Sequence, residues 1–157
     1  MHHVRVHLLE RAQFLAHPTE EVFAFFGDAF NLEDITPPWL QFRVMTAGPI
    51  EMRAGALIEY RLALRRVPVR WRTRIEEWVP GRRFVDVQLS GPYRLWHHTH
   101  TFERDGDATV ARDRVRYALP LGPLGSLAHT AFVRRDLERI FDFRVKAVRR
   151  ALDFNST

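Results

Sequence analysis

Hydrophobic and polar positions along the chain follow three successive patterns. After a first strand predicted over 4–15, apolar residues at helical spacing predict two short helices over 18–26 and 29–35. From 41 to 119, apolar and polar residues alternate with period two, which is typical of the strands of an antiparallel sheet. Beyond 123 and up to 152, apolar residues recur every three to four positions and predict one long amphipathic helix.

Turn residues divide the alternating region into six strands. Gly48-Pro49, Pro80-Gly81 and Gly91-Pro92 separate three pairs of runs, and Asp105-Gly106 is typical of a two-residue hairpin turn. The predicted strands are 41–47, 56–66, 69–79, 83–90, 93–104 and 108–119. One long helix can cover a curved antiparallel sheet, so the element order predicts an α+β architecture of about seven strands with a cavity beneath the helix.

Length and composition predict a single domain over 1–157. The chain has 46% hydrophobic residues, enough for a sizeable core, and no cysteine, which excludes disulfides, thiolate metal sites and a cysteine nucleophile. No stretch reaches the ~20 apolar residues that cross a bilayer, and the first residues lack the apolar core of a signal peptide. We therefore expect a cytoplasmic protein without a transmembrane segment.

The basic residues outnumber the acidic ones, but this imbalance alone does not indicate a nucleic-acid partner. Lys and Arg total 24 against 19 Asp and Glu, a net charge of +5, and Lys146 is the only lysine. Nucleic-acid binders concentrate basic residues on one face. The sequence therefore predicts no DNA partner.

Strand alternation sorts the side chains into an inner and an outer face. Three arginines each on strands 69–79 and 108–119 cannot share a buried face without partners, because unpaired buried charge costs several kcal/mol. The predicted outward arginines are Arg70, Arg72, Arg74, Arg112, Arg114 and Arg116. The predicted inward residues are Trp71, Thr73, Ile75, Phe84, Asp86, Gln88, Trp96, His98, His100, Phe102, Asp113, Val115 and Tyr117. For strand 83–90 the opposite choice, which buries Val85, Val87 and Leu89, stays open.

The charged face of the long predicted helix is assigned to solvent. It carries Arg134, Arg135, Asp136, Glu138, Arg139, Asp142, Arg144, Lys146, Arg149 and Arg150. The apolar stripe is expected to face the core, with its first residues close to the mouth of the cavity.

Three segments carry a family resemblance: Pro-Thr-Glu-Glu-Val-Phe at 18–23, Asn-Leu-Glu-Asp-Ile-Thr-Pro-Pro-Trp-Leu at 31–40, and Gly-Pro-Tyr-Arg-Leu-Trp-His-His-Thr-His-Thr-Phe at 91–102. Through them the chain resembles the SRPBCC or START-like helix-grip superfamily, in particular a bacterial subgroup, over nearly its whole length. This superfamily includes polyketide cyclases, plant allergen-type carriers and lipid-transfer domains. The resemblance implies the helix-grip fold, whereas the architecture hosts carriers, enzymes and regulators alike.

The predicted inward face combines aromatic residues with a polar group, which consists of Asp86, Gln88, His98, His100, Asp113 and Tyr117. A few polar side chains within an aromatic lining are typical of a ligand pocket. The predicted ligand-binding residues are Trp39, Trp71, Phe84, Gln88, Trp96, Phe102, Leu124, Leu127, Ala128 and Ala131. For Trp39, core packing beside the Pro37-Pro38 turn is the favoured alternative. For the polar group, the alternative is structural, with the two carboxylates accepting hydrogen bonds that lock the sheet.

The candidate catalytic residues are His98, His100, Asp86, Asp113 and Tyr117. A His–Asp pair in a dry pocket can act as a general base, and a tyrosine can polarise a carbonyl. Two histidines and a carboxylate also match a metal-ligand set, but no helical metal motif supports one, so we predict neither metal nor cofactor.

The leading hypothesis is a protein that binds a small hydrophobic or amphipathic molecule, such as a lipid, an isoprenoid or a polyketide-like compound. One alternative is a cyclase or dehydratase that uses a His–Asp pair in the same cavity. Another is an adaptor or homodimer that uses the outer sheet face.

Overall fold

The computed structural model describes residues 4–156, which form a seven-stranded antiparallel sheet with helices on one face. The strands are β1 (His7–Leu15), β2 (Arg43–Val44), β3 (Leu57–Leu64), β4 (Val67–Val79), β5 (Arg83–Ser90), β6 (Leu95–Asp105) and β7 (Ala108–Ala118). Their order across the sheet is β1-β7-β6-β5-β4-β3-β2. The predicted fold class is confirmed.

The helices begin and end close to the predicted positions. They are α1 (Thr19–Phe26), α2 (Leu32–Ile35), α3 (Gly122–Ala128) and α4 (Arg134–Asn155), with short 3₁₀ turns at Ala29–Asn31 and Pro38–Leu40. Helix α1 follows Pro18, and Glu20 and Glu21 lie at its positive end. Within residues 4–156, no helix combines the length and the apolar character needed to cross a membrane.

Strand β2 is shorter than the predicted strand 41–47. Gln41 adopts a left-handed backbone conformation with φ of 48°, which delays the start of the strand. At the other end, the Glu59 N–H donates to the hydroxyl of Thr46 at 2.8 Å instead of to a backbone carbonyl. The strand is therefore reduced to Arg43–Val44.

The long C-terminal helix departs from the prediction in its first half. A π-helical turn over His129–Val133 joins α3 to α4, and the larger number of residues in that turn rotates the helix face. The predicted stripe places Leu124, Leu127, Ala128 and Ala131 inward, but all four are exposed. The buried stripe begins only at Leu137 and continues with Phe141, Val148 and Leu152.

The core lies between the inner sheet face and the helices as three clusters of buried side chains. One groups Phe23 and Phe26 of α1 with Phe84, and a second packs Phe141 of α4 on Trp96. The third lies beside α2 and contains Ile58, Tyr60 and Ile75. A cavity remains where the three clusters meet.

The predicted outward arginines on β4 and β7 are all exposed, which confirms the inner and outer faces of these strands. On β5, Phe84 is buried and Asp86 half-buried on the inner face, whereas Leu89 of the opposite face is exposed. Val85 is also buried, so both faces at the start of β5 are covered.

Candidate functional site

The cavity lies between the inner sheet face and α4 and has a volume of about 160 Å³. Eight predicted inward residues line it: Trp71, Thr73, Ile75, Phe84, Asp86, Trp96, His98 and His100. Further lining comes from Tyr60, Tyr93, Leu137, Ile140, Phe141 and Arg144, among others. The lining is thus mainly aromatic and aliphatic, with one group of polar side chains.

The polar group is built by the pairing of β5, β6 and β7. The register places Asp86 opposite His98 and His100 opposite Asp113. The hydrogen bonds run along the diagonals, because His98 Nε2 donates to Asp113 at 2.8 Å and His100 Nε2 donates to Asp86 at 2.6 Å. The two imidazole rings stack with their centroids 3.7 Å apart.

Arg144 of α4 completes this group from the opposite side of the cavity. Its Nη2 lies 3.8 Å from Asp113 Oδ1, and its guanidinium lies over the rings of Phe26 and Phe141 at 5.4 and 5.8 Å. The sequence pattern assigned Arg144 to the solvated face, but its side chain is only 13% exposed. Its position in the sequence indicates the inward orientation, because residue 144 lies three residues after Phe141 and four before Val148 on the buried stripe of the helix.

The pKa values of the two histidines are displaced in opposite directions. Burial and the neighbouring His100 lower the pKa of His98 to about 4. Burial also disfavours the charged form of His100, but the neighbouring carboxylates of Asp113 and Asp86 outweigh burial and raise the pKa of His100 above its usual 6.5. The stacked pair therefore favours one neutral and one protonated ring.

The two carboxylates remain charged although their side chains are only 19% and 18% exposed. Burial raises the pKa of a carboxyl group, but Arg144 and the histidines hold the pKa of Asp113 well below its usual value. For Asp86, the hydrogen bond from His100 and the histidine charges likewise outweigh burial and lower the pKa. Two carboxylates thus face two cations, protonated His100 and Arg144, and the group is close to neutral.

Several buried donors of the group have no hydrogen-bond partner among the described residues. They are Arg144 Nε and Nη2, His100 Nδ1 and the hydroxyl of Thr73. All three residues line the cavity. A buried donor without a partner costs about 1–3 kcal/mol, and an oxygen acceptor in the cavity would remove that cost.

Asp86, His98 and His100 each offer one potential metal ligand within 4.8 Å of the others. Each histidine Nε2 is already hydrogen-bonded to a carboxylate, and Arg144 places a positive charge next to Asp113. A cation would have to displace a proton and approach the guanidinium. The donor set therefore suits a proton-sharing group better than a metal ion.

Besides the exposed Leu124, Leu127, Ala128 and Ala131, four further predicted site residues lie outside the cavity lining. Tyr117 is buried, but its hydroxyl contacts His129 Nε2 at 2.7 Å rather than reaching the cavity. Gln88 closes the β5–β6 connection by donating to the carbonyl of Tyr93 at 2.7 Å. Phe102 packs on α1 in the core.

Trp39 is the fourth, and its predicted core position is wrong. Its side chain is half exposed and packs on the outside of α4, 5.9 Å from the ring of Phe143 and 5.2 Å from the guanidinium of Arg139. The turn at Pro37 and Pro38 carries the indole past the edge of the core and over the helix.

Comparison with known proteins adds a family and a set of similar folds. Residues 15–144 match the family described as polyketide cyclase / dehydrase and lipid transport. Among curated proteins, none matches the chain.

Solved structures with the same fold share little sequence with the chain. TTHA0849 from Thermus thermophilus is 18% identical with a TM-score of 0.73, covering 96% of this chain and 100% of that one. The ZhuI aromatase/cyclase from Streptomyces sp. R1128 is 16% identical with a TM-score of 0.77, covering 98% and 97%. A START superfamily protein from Mycobacterium smegmatis is 11% identical with a TM-score of 0.66, covering 94% and 97%.

Proposed function

Because this chain belongs to the polyketide cyclase / dehydrase and lipid transport family, we propose that it binds a small hydrophobic or amphipathic molecule in the cavity beneath α4. The observation that carries the proposal is that an apolar, aromatic cavity lining lies next to buried donors that have no hydrogen-bond partner. Such a lining suits a ligand with an apolar body and an oxygen at one end.

The ligand lies with its apolar body among the aromatic side chains. Trp71 and Trp96 meet edge to face at 5.1 Å and, with Phe141, form its surroundings. Its oxygen accepts hydrogen bonds from Arg144 and His100, whose free donors it would satisfy. The cavity holds about one aromatic ring, since an apolar cavity of about 150 Å³ binds benzene.

The oxygen is better carried by a neutral group than by a carboxylate. Asp86 and Asp113 already balance Arg144 and protonated His100. A third buried anion would have no cation of its own and would cost several kcal/mol. Ketone, ester or quinone oxygens therefore fit best.

A cyclase or dehydratase is the second candidate. The difference between the pKa values of His98 and His100 favours it. Neighbouring groups with pKa values pushed apart are typical of an acid–base pair. Neutral His98 could take the α-proton of a β-hydroxy carbonyl compound while protonated His100 gives its proton to the departing hydroxyl, which leaves as water. The pKa of about 4 makes His98 a weak base at neutral pH, so binding is favoured over catalysis.

A matched pair of ligands tests the binding proposal. Acetophenone and ethylbenzene have similar size, but only acetophenone carries an oxygen acceptor. We expect calorimetry to show roughly tenfold tighter binding of acetophenone. The Arg144→Met variant should lose that preference, whereas Arg150→Met, on the exposed side of the same helix, should keep it.

Binding of neither compound, or a preference that survives in Arg144→Met, would contradict the proposal. A further variant, His98→Gln, separates a carrier from an enzyme. His98→Gln should leave binding largely intact in a carrier, and it should abolish turnover of a β-hydroxy ketone in an enzyme.

A further inference from the structure

Helix α3 and the π-helical turn that follows it are amphipathic in the reverse sense, with the apolar face toward solvent. Leu121, Leu124, Leu127 and Phe132 are 74%, 68%, 68% and 54% exposed. Ala128 and Ala131 lie between them and are also exposed. We call these six residues the α3 patch. Exposed clusters of large apolar side chains mark interaction surfaces in folded proteins.

The outward orientation of the α3 patch is imposed by packing on the opposite face of the helix. A side chain at Gly125 would lie 2.2 Å from the Pro120 carbonyl oxygen, so only a glycine permits this approach of helix and chain. One turn later, His129 is buried and is hydrogen-bonded to the Tyr117 hydroxyl at 2.7 Å. These two contacts prevent α3 from turning its leucines inward.

Arginines surround the α3 patch. The stretch 114–135 contains no acidic residue, and it ends in Arg134 and Arg135. Arg65, in the tight turn between β3 and β4, lies over the Phe132 ring at 4.8 Å, and Arg66 follows it. Arg5, Arg65, Arg66, Arg134 and Arg135 are all exposed. The neighbouring acidic partners are Asp136 and Glu138, so the surroundings stay positive.

We propose that the α3 patch docks on an anionic lipid surface. Leucine and phenylalanine side chains flanked by arginines are typical of helices that lie at the membrane interface. In such helices the apolar side chains enter the boundary between headgroups and acyl chains, and the arginines contact anionic headgroups. The negative charge of anionic lipid headgroups complements the positive charge of the arginines around the α3 patch.

A second copy of the chain fits the patch less well. A twofold dimer would place the same patch against itself, and the arginines around one copy would face those around the other. Like charges brought together in this way oppose association.

The α3 patch lies beside one end of the cavity. Arg65 Nη2 is hydrogen-bonded to Asp136 at 3.1 Å and so joins the β3–β4 turn to the start of α4. The residues next to this contact, Leu64 and Leu137, both line the cavity. Docking would therefore bring this end of the cavity to the membrane, although the docking itself does not depend on what the cavity binds.

Sedimentation with lipid vesicles tests the proposal on the full chain. Vesicles of phosphatidylcholine with one third phosphatidylglycerol are compared with vesicles of phosphatidylcholine alone. We expect binding to the anionic vesicles that weakens with added salt and falls roughly tenfold or more in the double variant Leu124→Ser, Leu127→Ser. The matched control replaces Leu57 and Leu89, which are also exposed but lie on strands.

Two further measurements make the result decisive. Arg134→Gln with Arg135→Gln should reduce binding to anionic vesicles, and thermal unfolding should show that all variants stay folded. Equal binding to both kinds of vesicle, no binding, or binding that ignores the leucine variants would overturn the proposal. A dimer in analytical ultracentrifugation that dissociates in the leucine variant would instead assign the patch to a second copy.

Discussion

Two stacked histidine pairs lie at different places in this fold and differ in the charges around them. His98 and His100 stack at 3.7 Å beside two buried carboxylates. His7 and His129 stack at 3.5 Å at the end of the sheet. The geometry of the two pairs is nearly the same.

The surroundings give the pairs different protonation: both rings of the His7–His129 pair favour the neutral form, whereas His100 of the cavity pair favours the protonated form. Burial and then Arg5 and Arg134 lower the pKa of His7, and burial, His7 and Arg134 lower that of His129. In the cavity, the carboxylates of Asp113 and Asp86 raise the pKa of His100 instead. Stacking alone therefore does not decide whether a pair of imidazoles holds a proton, because burial and the neighbouring charges decide it together.

The two pairs also differ in what surrounds them. The His7–His129 pair is neutral, anchors the π-helical turn through Tyr117 and has no carboxylate close to it in the contacts of the described residues. The His98–His100 pair lines a cavity and leaves a donor without a partner. Breaking each pair should therefore have different consequences.

The largest effect is expected for Arg144→Met. The variant leaves Asp113 buried beside too little positive charge, which should lower the free energy of unfolding by about 3–5 kcal/mol. Chemical denaturation measures it. Arg150→Met, on the exposed side of α4, should change the free energy by less than about 0.5 kcal/mol. A loss in Arg144→Met no greater than in the control would show that the buried charges are not coupled.

The next effect separates the two stacked rings of the cavity. His100→Gln removes the protonated partner of Asp86 and should cost about 1–3 kcal/mol, more than His98→Gln. Since His100 also lowers the pKa of His98, its removal should raise that pKa from about 4. Denaturation and a histidine NMR titration measure the two quantities. An unchanged His98 titration would argue against the proton assignment.

A smaller effect is expected at the second pair. Tyr117→Phe removes the hydrogen bond to His129 and should cost about 1 kcal/mol. The ligand preference of the cavity should not change, because Tyr117 lies outside its lining. Calorimetry with acetophenone and ethylbenzene checks this, and a changed preference would place Tyr117 in the binding site after all.

The smallest effect is the pH dependence, in which the contribution of His100 has the opposite sign to those of His7, His129 and His98. Lowered folded-state pKa values make His7 and His129 reduce stability as the pH falls below 6.5, because the unfolded chain binds those protons more readily. The raised pKa of His100 contributes stability below pH 6.5 that is lost as the pH rises through the folded value. His129→Gln should therefore reduce the loss of stability that occurs as the pH falls. His100→Gln should reduce the loss of stability that occurs as the pH rises. Thermal unfolding across pH measures both, and identical profiles for the two variants would refute the contrast.

Much of the cavity group could be predicted from strand alternation. Period two fixes which residues of a strand share a face, and outward arginines on β4 and β7 identify the solvent side. On the two strands between them, taking the aromatic-bearing faces as inner ones places Asp86, His98 and His100 on one surface, and for strand 83–90 only the structure decides between the two faces. The antiparallel sheet and the long C-terminal helix follow from turn positions and periodicity.

The parts that sequence reasoning missed depend on contacts between distant segments. Arg144 is charged, and a charged residue on a helix is ordinarily solvated, so only its place on the buried stripe distinguishes it. The exposure of Leu124 and Leu127 depends on the contact of Gly125 with Pro120 and on the π-helical turn. Neither leaves a clear signal in hydrophobic periodicity.

A small molecule with an apolar body and an oxygen acceptor should occupy the cavity when the protein is made in its own host. Native mass spectrometry of the protein purified from that host, followed by denaturing extraction and identification of the released compound, decides this point. We expect one organic molecule per chain, missing from Arg144→Met but present in Arg150→Met. A wild-type protein that carries no such molecule, and that no lipid or polyphenol stabilises, would contradict the binding function.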